Sequence, residues 1–152
     1  MSRLSLRFLA LPLLATLSLP ALAQNASDTC PELPTEGTDL IWADMHAGNL
    51  LLCRAIDLEG KEAFAVTVSR DSPFKPQRSL REEQGQFAGA PMWWYRSEIA
   101  GRPDELVRET LLEVGQNRVA HVYIRTRDAA QLARYRQLVE GLRFEGAGLA
   151  QR

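Results

Sequence analysis

Past residue 38, one stretch carries the periodicity of an amphipathic helix, and it comes last. Leu132, Tyr135, Leu138, Val139 and Leu142 recur at helical spacing and form a single apolar stripe. Asp128 stands where an N-cap belongs, and Gln131 follows at the third helical position. Gly141 marks the end. A helix with one apolar stripe must lay it on something. The segments before it are short β-branched and apolar runs separated by turn residues, so the surface it covers is a sheet.

These runs are Asp39–Met45, Leu50–Ile56, Ala63–Ser69, Met92–Ile99, Leu106–Val114 and Arg118–Arg125. His46-Ala47-Gly48-Asn49, Asp57-Leu58-Glu59-Gly60-Lys61, Ala100-Gly101-Arg102-Pro103-Asp104 and Gly115-Gln116-Asn117 supply the turns between neighbours. The expected fold is α+β: an antiparallel sheet of five to six strands with the C-terminal helix across one face. The simplest topology is a meander. Arg70–Ala90 reads as a long surface loop with one helical turn near Ser79, because Pro73 and Pro76 forbid a helix through them and Gly85 and Gly89 cut short any helix begun at Ser79.

The N-terminus is read as an address. Arg3 and Arg7 precede an apolar run from Phe8 to Leu19, and Ala21-Leu22-Ala23 offers a signal-peptidase site. Cleavage between Ala23 and Gln24 would release a soluble periplasmic or secreted chain. Residues 1–23 are then a signal peptide, 24–38 an extended arm with Pro31 and Pro34, 39–144 one domain, and 145–152 a loose tail. The apolar run is short for a bilayer span, and the mature chain holds no second one. Losing Arg3 and Arg7 takes the formal net charge from −1 to −3, which argues against a nucleic-acid partner. Cys30 and Cys53 suit a disulfide in an exported chain, stabilising by roughly 3 kcal/mol through loop closure.

Motifs for catalysis are missing. No G-x-S-x-G elbow or phosphate-cradling glycine loop occurs. His46 and His121 lie far apart and lack the close partners of a metal site, so no metal and no cofactor is expected. Glu109 and Glu113 share one face of a strand and, with Glu98, are the carboxylates a hydrolase would draw on; a solvated sheet edge is the simpler account. The feature pointing to recognition is Met92-Trp93-Trp94-Tyr95-Arg96. Alternation sends the two tryptophans to opposite faces. Trp93, sharing a face with Tyr95 and Ile99, is expected in the core. Trp94 beside Arg96 is expected to be presented for binding, with Arg78 and Arg81 of the long loop adding positive charge.

Leu106 to Phe144, in which the strand His121-Val122-Tyr123-Ile124 runs into a helix that closes in Leu142-Arg143-Phe144, resembles the small exported α/β domains related to PsbP. The resemblance covers about a third of the mature chain. It implies a similar shape and an accessory or binding role, and transfers no functional residue. The resulting expectation is an exported, non-enzymatic binding or accessory module for a protein partner or small ligand, such as an inhibitor or immunity-type partner. A small periplasmic hydrolase with a scattered His/carboxylate site is the alternative.

Overall fold

The computed structural model describes residues 29–35, 39–115 and 117–145. The expected signal peptide and cleavage site, the start of the expected arm and all but the first residue of the expected tail lie outside the described residues. The strands are β1 (Ile41–Ala47), β2 (Leu50–Ile56), β3 (Glu62–Ser69), β4 (Arg81–Phe87), β5 (Ala90–Ser97), β6 (Leu106–Glu113) and β7 (Val119–Thr126); the helix α1 is Ala129–Glu140. They form one seven-stranded sheet in the order β1-β2-β3-β7-β6-β5-β4, with every neighbouring pair antiparallel.

This corrects the reading of a plain meander with five to six strands. The extra strand is β4, which falls in the segment read as a loop. Arg-Glu-Glu-Gln-Gly-Gln-Phe offers almost no apolar alternation, because β4 is an edge strand with little to bury. The order breaks between β3 and β4. The chain leaves β3 at Ser69, crosses one face of the sheet, turns through a short 3-10 segment (Arg78–Leu80), and enters at the far edge. Strand β7 then returns to the middle and pairs with β3 from Phe64↔Ile124 to Ser69↔Val119.

The register sorts side chains into two faces. One cross-strand row reads Trp42, Ala55, Phe64, Ile124, Arg108 and Arg96. With the next row, including Cys53, Val66, Val122 and Thr110, it forms the face under α1. Leu132, Tyr135, Leu138 and Val139 are the buried residues of the helix. The core between them is closed: Cys53, Ala55, Val66, Trp94, Ala120, Val122, Ile124 and Val139 are each 0% exposed.

The helix starts as its sequence asks. The Asp128 carboxylate accepts from the backbone N–H groups of Ala130 (2.7 Å) and Gln131 (3.0 Å). Gln131 does not reach back as in a capping box. The Asp128 N–H instead donates to the Thr126 hydroxyl (3.1 Å), which donates to Gln131 Oε1 (3.0 Å). At the other end the arm closes over the helix. Cys30 is bonded to Cys53, Trp42 Nε1 donates to the Pro31 carbonyl (2.7 Å), and Glu32 forms a two-way backbone bridge with Arg143. The disulfide fits an exported protein. Among the described residues no helix is long and apolar enough to cross a membrane.

Candidate functional site: a slot between two strands

The residues singled out in the sequence fall on opposite faces. Trp94 is fully buried under α1, so the expectation that Trp93 fills the core and Trp94 is presented is reversed. Pairing of Arg96 with Arg108 and of Tyr95 with Glu109 fixes the parity of β5. Trp94 and Arg96 belong to the helix face, Trp93 and Tyr95 to the other. Arg96 is exposed at the rim, 4.0 Å from Glu82. Arg78 is exposed in the 3-10 turn. Arg81 holds its guanidinium 5.0 Å above the Trp93 ring, a cation–π contact. Trp93 and Arg81 thus form one group on the open face, and Trp94 has no part in it.

The helix face beside Trp94 is charged, and its charges pair with one another, although the buried Nε of Arg136 has no hydrogen-bond partner. Arg108 is buried, and its guanidinium binds both Glu83 oxygens, at 2.8 and 2.9 Å. Arg136 of α1 lies 3.3 Å from the same carboxylate. The bulge between Arg81 and Gln84 inserts the extra residue that brings Glu82 and Glu83 to this cluster. It ties the polar edge strand to the helix.

The open face carries a second cluster. His121 Nε2 lies 3.0 Å from Glu109 Oε1, and the Ser97 hydroxyl donates to Glu109 Oε2. Burial raises the Glu109 carboxyl pKa, but the bonds from His121 and Ser97 outweigh it and hold the group below its usual value. Phe74, from the crossing segment, stacks flat on the His121 ring (4.9 Å between centroids) and meets Tyr95 edge-on at 5.8 Å. Serine, histidine and glutamate are therefore together, but not as a catalytic triad. The hydroxyl bonds the carboxylate and not the imidazole, and a phenyl ring covers the imidazole face. Among the described residues no group of three or more His, Cys, Asp or Glu side chains is placed to hold a metal ion.

The recess of interest is where β5 and β6 part. Their ladder runs through Tyr95↔Glu109, Arg96↔Arg108 and Ser97↔Val107, and stops. Pro91 keeps it from resuming beyond Trp93: alternation points its backbone at β6, and proline has no N–H to give. Thr110 Oγ1 donates to the Trp93 carbonyl (2.9 Å), replacing one lost ladder bond. Beyond it lies a cavity of about 930 Å³, lined by Trp93, Tyr95, Leu111 and Glu113 from the open face and by Phe87, Met92, Thr110 and Leu112 from the helix face. Lining from both faces means the cavity is a slot between strands. Arg70, Pro76 and Arg118 stand at its rim. By alternation, the N–H and C=O groups of Leu111 and Glu113 face into it. A smaller cavity of about 460 Å³ lies near Glu105, whose carboxylate is already paired with Arg102, Arg125 and Arg127.

Sequence reasoning missed Phe74, Leu111 and the slot. The signal that could have found the slot is Pro91 inside a strand with aromatic residues on both faces. No family model matches the chain, and neither a curated protein nor a solved structure matches it.

Proposed function

We propose that this chain is an exported binding module, without catalysis of its own, that holds an extended apolar segment of a partner protein in the slot between β5 and β6. An inhibitor or immunity-type partner of another exported protein is the concrete form of this reading. The observation that carries it is the place where the β5–β6 ladder stops. There, aromatic and aliphatic side chains lie beside strand edges whose backbone groups point into open space. An added strand would satisfy those groups and bury Trp93 and Leu111 at once. The arginines at the rim suit acidic residues flanking the apolar segment. Kinship with the PsbP-related accessory domains belongs to the same proposal and rests on the β6–β7–α1 unit.

The alternative, a hydrolase built on His121 and Glu109, has their 3.0 Å contact in its favour. The ring stacked on His121 and the Ser97 hydroxyl turned to Glu109 weigh against it.

Capture from periplasmic extract tests the proposal, with the exported chain, Trp93→Ala and Leu111→Arg as baits. The expected result is a partner held by the native chain, lost by both variants, and protecting the Leu111 and Glu113 amides from hydrogen exchange. A partner that binds all three baits equally, or leaves those amides unprotected, overturns the slot as the binding site.

A further inference from the structure

The two edges of the sheet are treated differently. At β4 the edge is blunted. A bulge interrupts the register, and the outward N–H of Gln86 donates to Glu140 Oε2 of the helix (3.4 Å). At β1 nothing of the kind occurs among the described residues. Its register with β2 is unbroken over seven pairs, and it holds no proline, lysine or arginine. The turn joining Ala47 to Leu50 directs the backbone groups of Ile41, Ala43, Met45 and Ala47 to β2, so those of Trp42, Asp44 and His46 point to the open edge. Met45 is 55% exposed and Ile41 61%.

We propose that β1 is a homodimer interface, in which two copies of this chain pair their β1 strands antiparallel about a two-fold axis through Met45. The choice of a second copy rests on charge. Asp44 and His46 flank Met45 symmetrically, so a two-fold there sets Asp44 of one copy directly opposite the partner subunit's His46, twice. An imidazole donates an N–H to a carboxylate whether or not it is protonated, and opposite polar pairs across a sheet stabilise it. A two-fold through Asp44 would instead oppose two carboxylates. Within one copy Asp44 and His46 are already 3.6 Å apart, so the four groups would form one cluster on the helix face. The two Met45 side chains would meet on the other face at a non-hydrogen-bonded pair, where cross-strand side chains are closest. Because β4 is blunted, association ends at two copies and does not run on into a fibre.

Sedimentation and cross-linking on the exported protein decide this. At about 100 µM, where an interface of this modest size should still associate, the native chain should sediment with twice its own mass. Met45→Cys should oxidise to a covalent dimer, since the described residues hold no other free thiol. Ala43→Cys, which would face the partner subunit's Ala47, should not. Met45→Lys, which opposes two ammonium groups, should return the protein to monomer, with a urea midpoint equal to that of the native chain when both are measured at a concentration too low for association. A native chain that stays monomeric at that concentration overturns the proposal. So does a dimer that M45K leaves intact, or one that cross-links through A43C and not M45C. If M45K fails to fold, the native mass and the two cysteine variants still give the answer.

Discussion

Trp94 Nε1 donates to Glu140 Oε1 at 3.1 Å, joining the middle of β5 to the last residue of α1. It gives a fully buried indole its polar partner and fixes how the helix lies on the sheet. The contact requires Gly85. A Cβ there would come within 2.4 Å of Glu140 Oε1 and 3.1 Å of Trp94 Nε1.

The two tryptophans should respond unequally to truncation. Trp94→Ala leaves a large cavity and takes from Glu140 Oε1 its indole donor, and should cost about 3–5 kcal/mol. Trp93→Ala removes a partly buried ring and its contact with Arg81, and should cost about 1 kcal/mol. Urea titrations of both variants measure the difference. Equal losses would contradict the assignment of the two rings to opposite environments.

Gly85→Ala should lower stability by about 1–3 kcal/mol by forcing Glu140 off the indole and leaving a buried donor unsatisfied. Pairing it with Glu140→Ala provides the check. The double variant should cost less than the sum of the two single changes, because both break the same bond.

Glu109 predicts a specific acid limb. Its folded-state pKa lies below the unfolded value, through its bonds to His121 and Ser97 acting against burial. The ionised carboxylate therefore contributes stability that is fully present above the unfolded pKa, about 4.3, and is lost as pH falls through the lower folded value. Glu109→Gln removes that contribution. The stability gap between native protein and variant should be widest near neutrality and should narrow as pH falls below about 4.3, as followed by urea midpoints across the range.

Loss of the Cys30–Cys53 bridge, which spans 23 positions, should cost roughly 3 kcal/mol and loosen the arm from Trp42 and Arg143 without dissolving the sheet. Near-ultraviolet dichroism and urea midpoints of the Cys30→Ser/Cys53→Ser variant check this. Retention of full stability would show that the arm is held by its backbone bridge and by packing alone.

Replacing Asp128 with alanine should cost about 1 kcal/mol, since its carboxylate serves the N–H groups of Ala130 and Gln131. A thermal scan beside Asp128→Asn, a residue that also caps well, separates the cap from the charge.

Local features were legible because each is set by neighbours in the chain. The stripe from Leu132 to Leu142, the cap at Asp128, the cysteine pair and six of the seven strands all come from periodicity, turn chemistry or residue type. The seventh strand, β4, was not legible, because its place rests on the bulge, on Glu83 meeting Arg108, and on pairing with β5. Nor was the face of each tryptophan. Alternation says only that Trp93 and Trp94 differ, while the pairing of Tyr95 with Glu109 says which is which. The slot belongs wholly to the tertiary structure. Pro91 is visible in the sequence, but a missing N–H becomes an opening only once β7 has returned beside β3 and carried β6 alongside β5. Periodicity is a property of one strand or helix; which strands become neighbours is decided by contacts between segments far apart in the chain, and that choice sets the two faces and the gap.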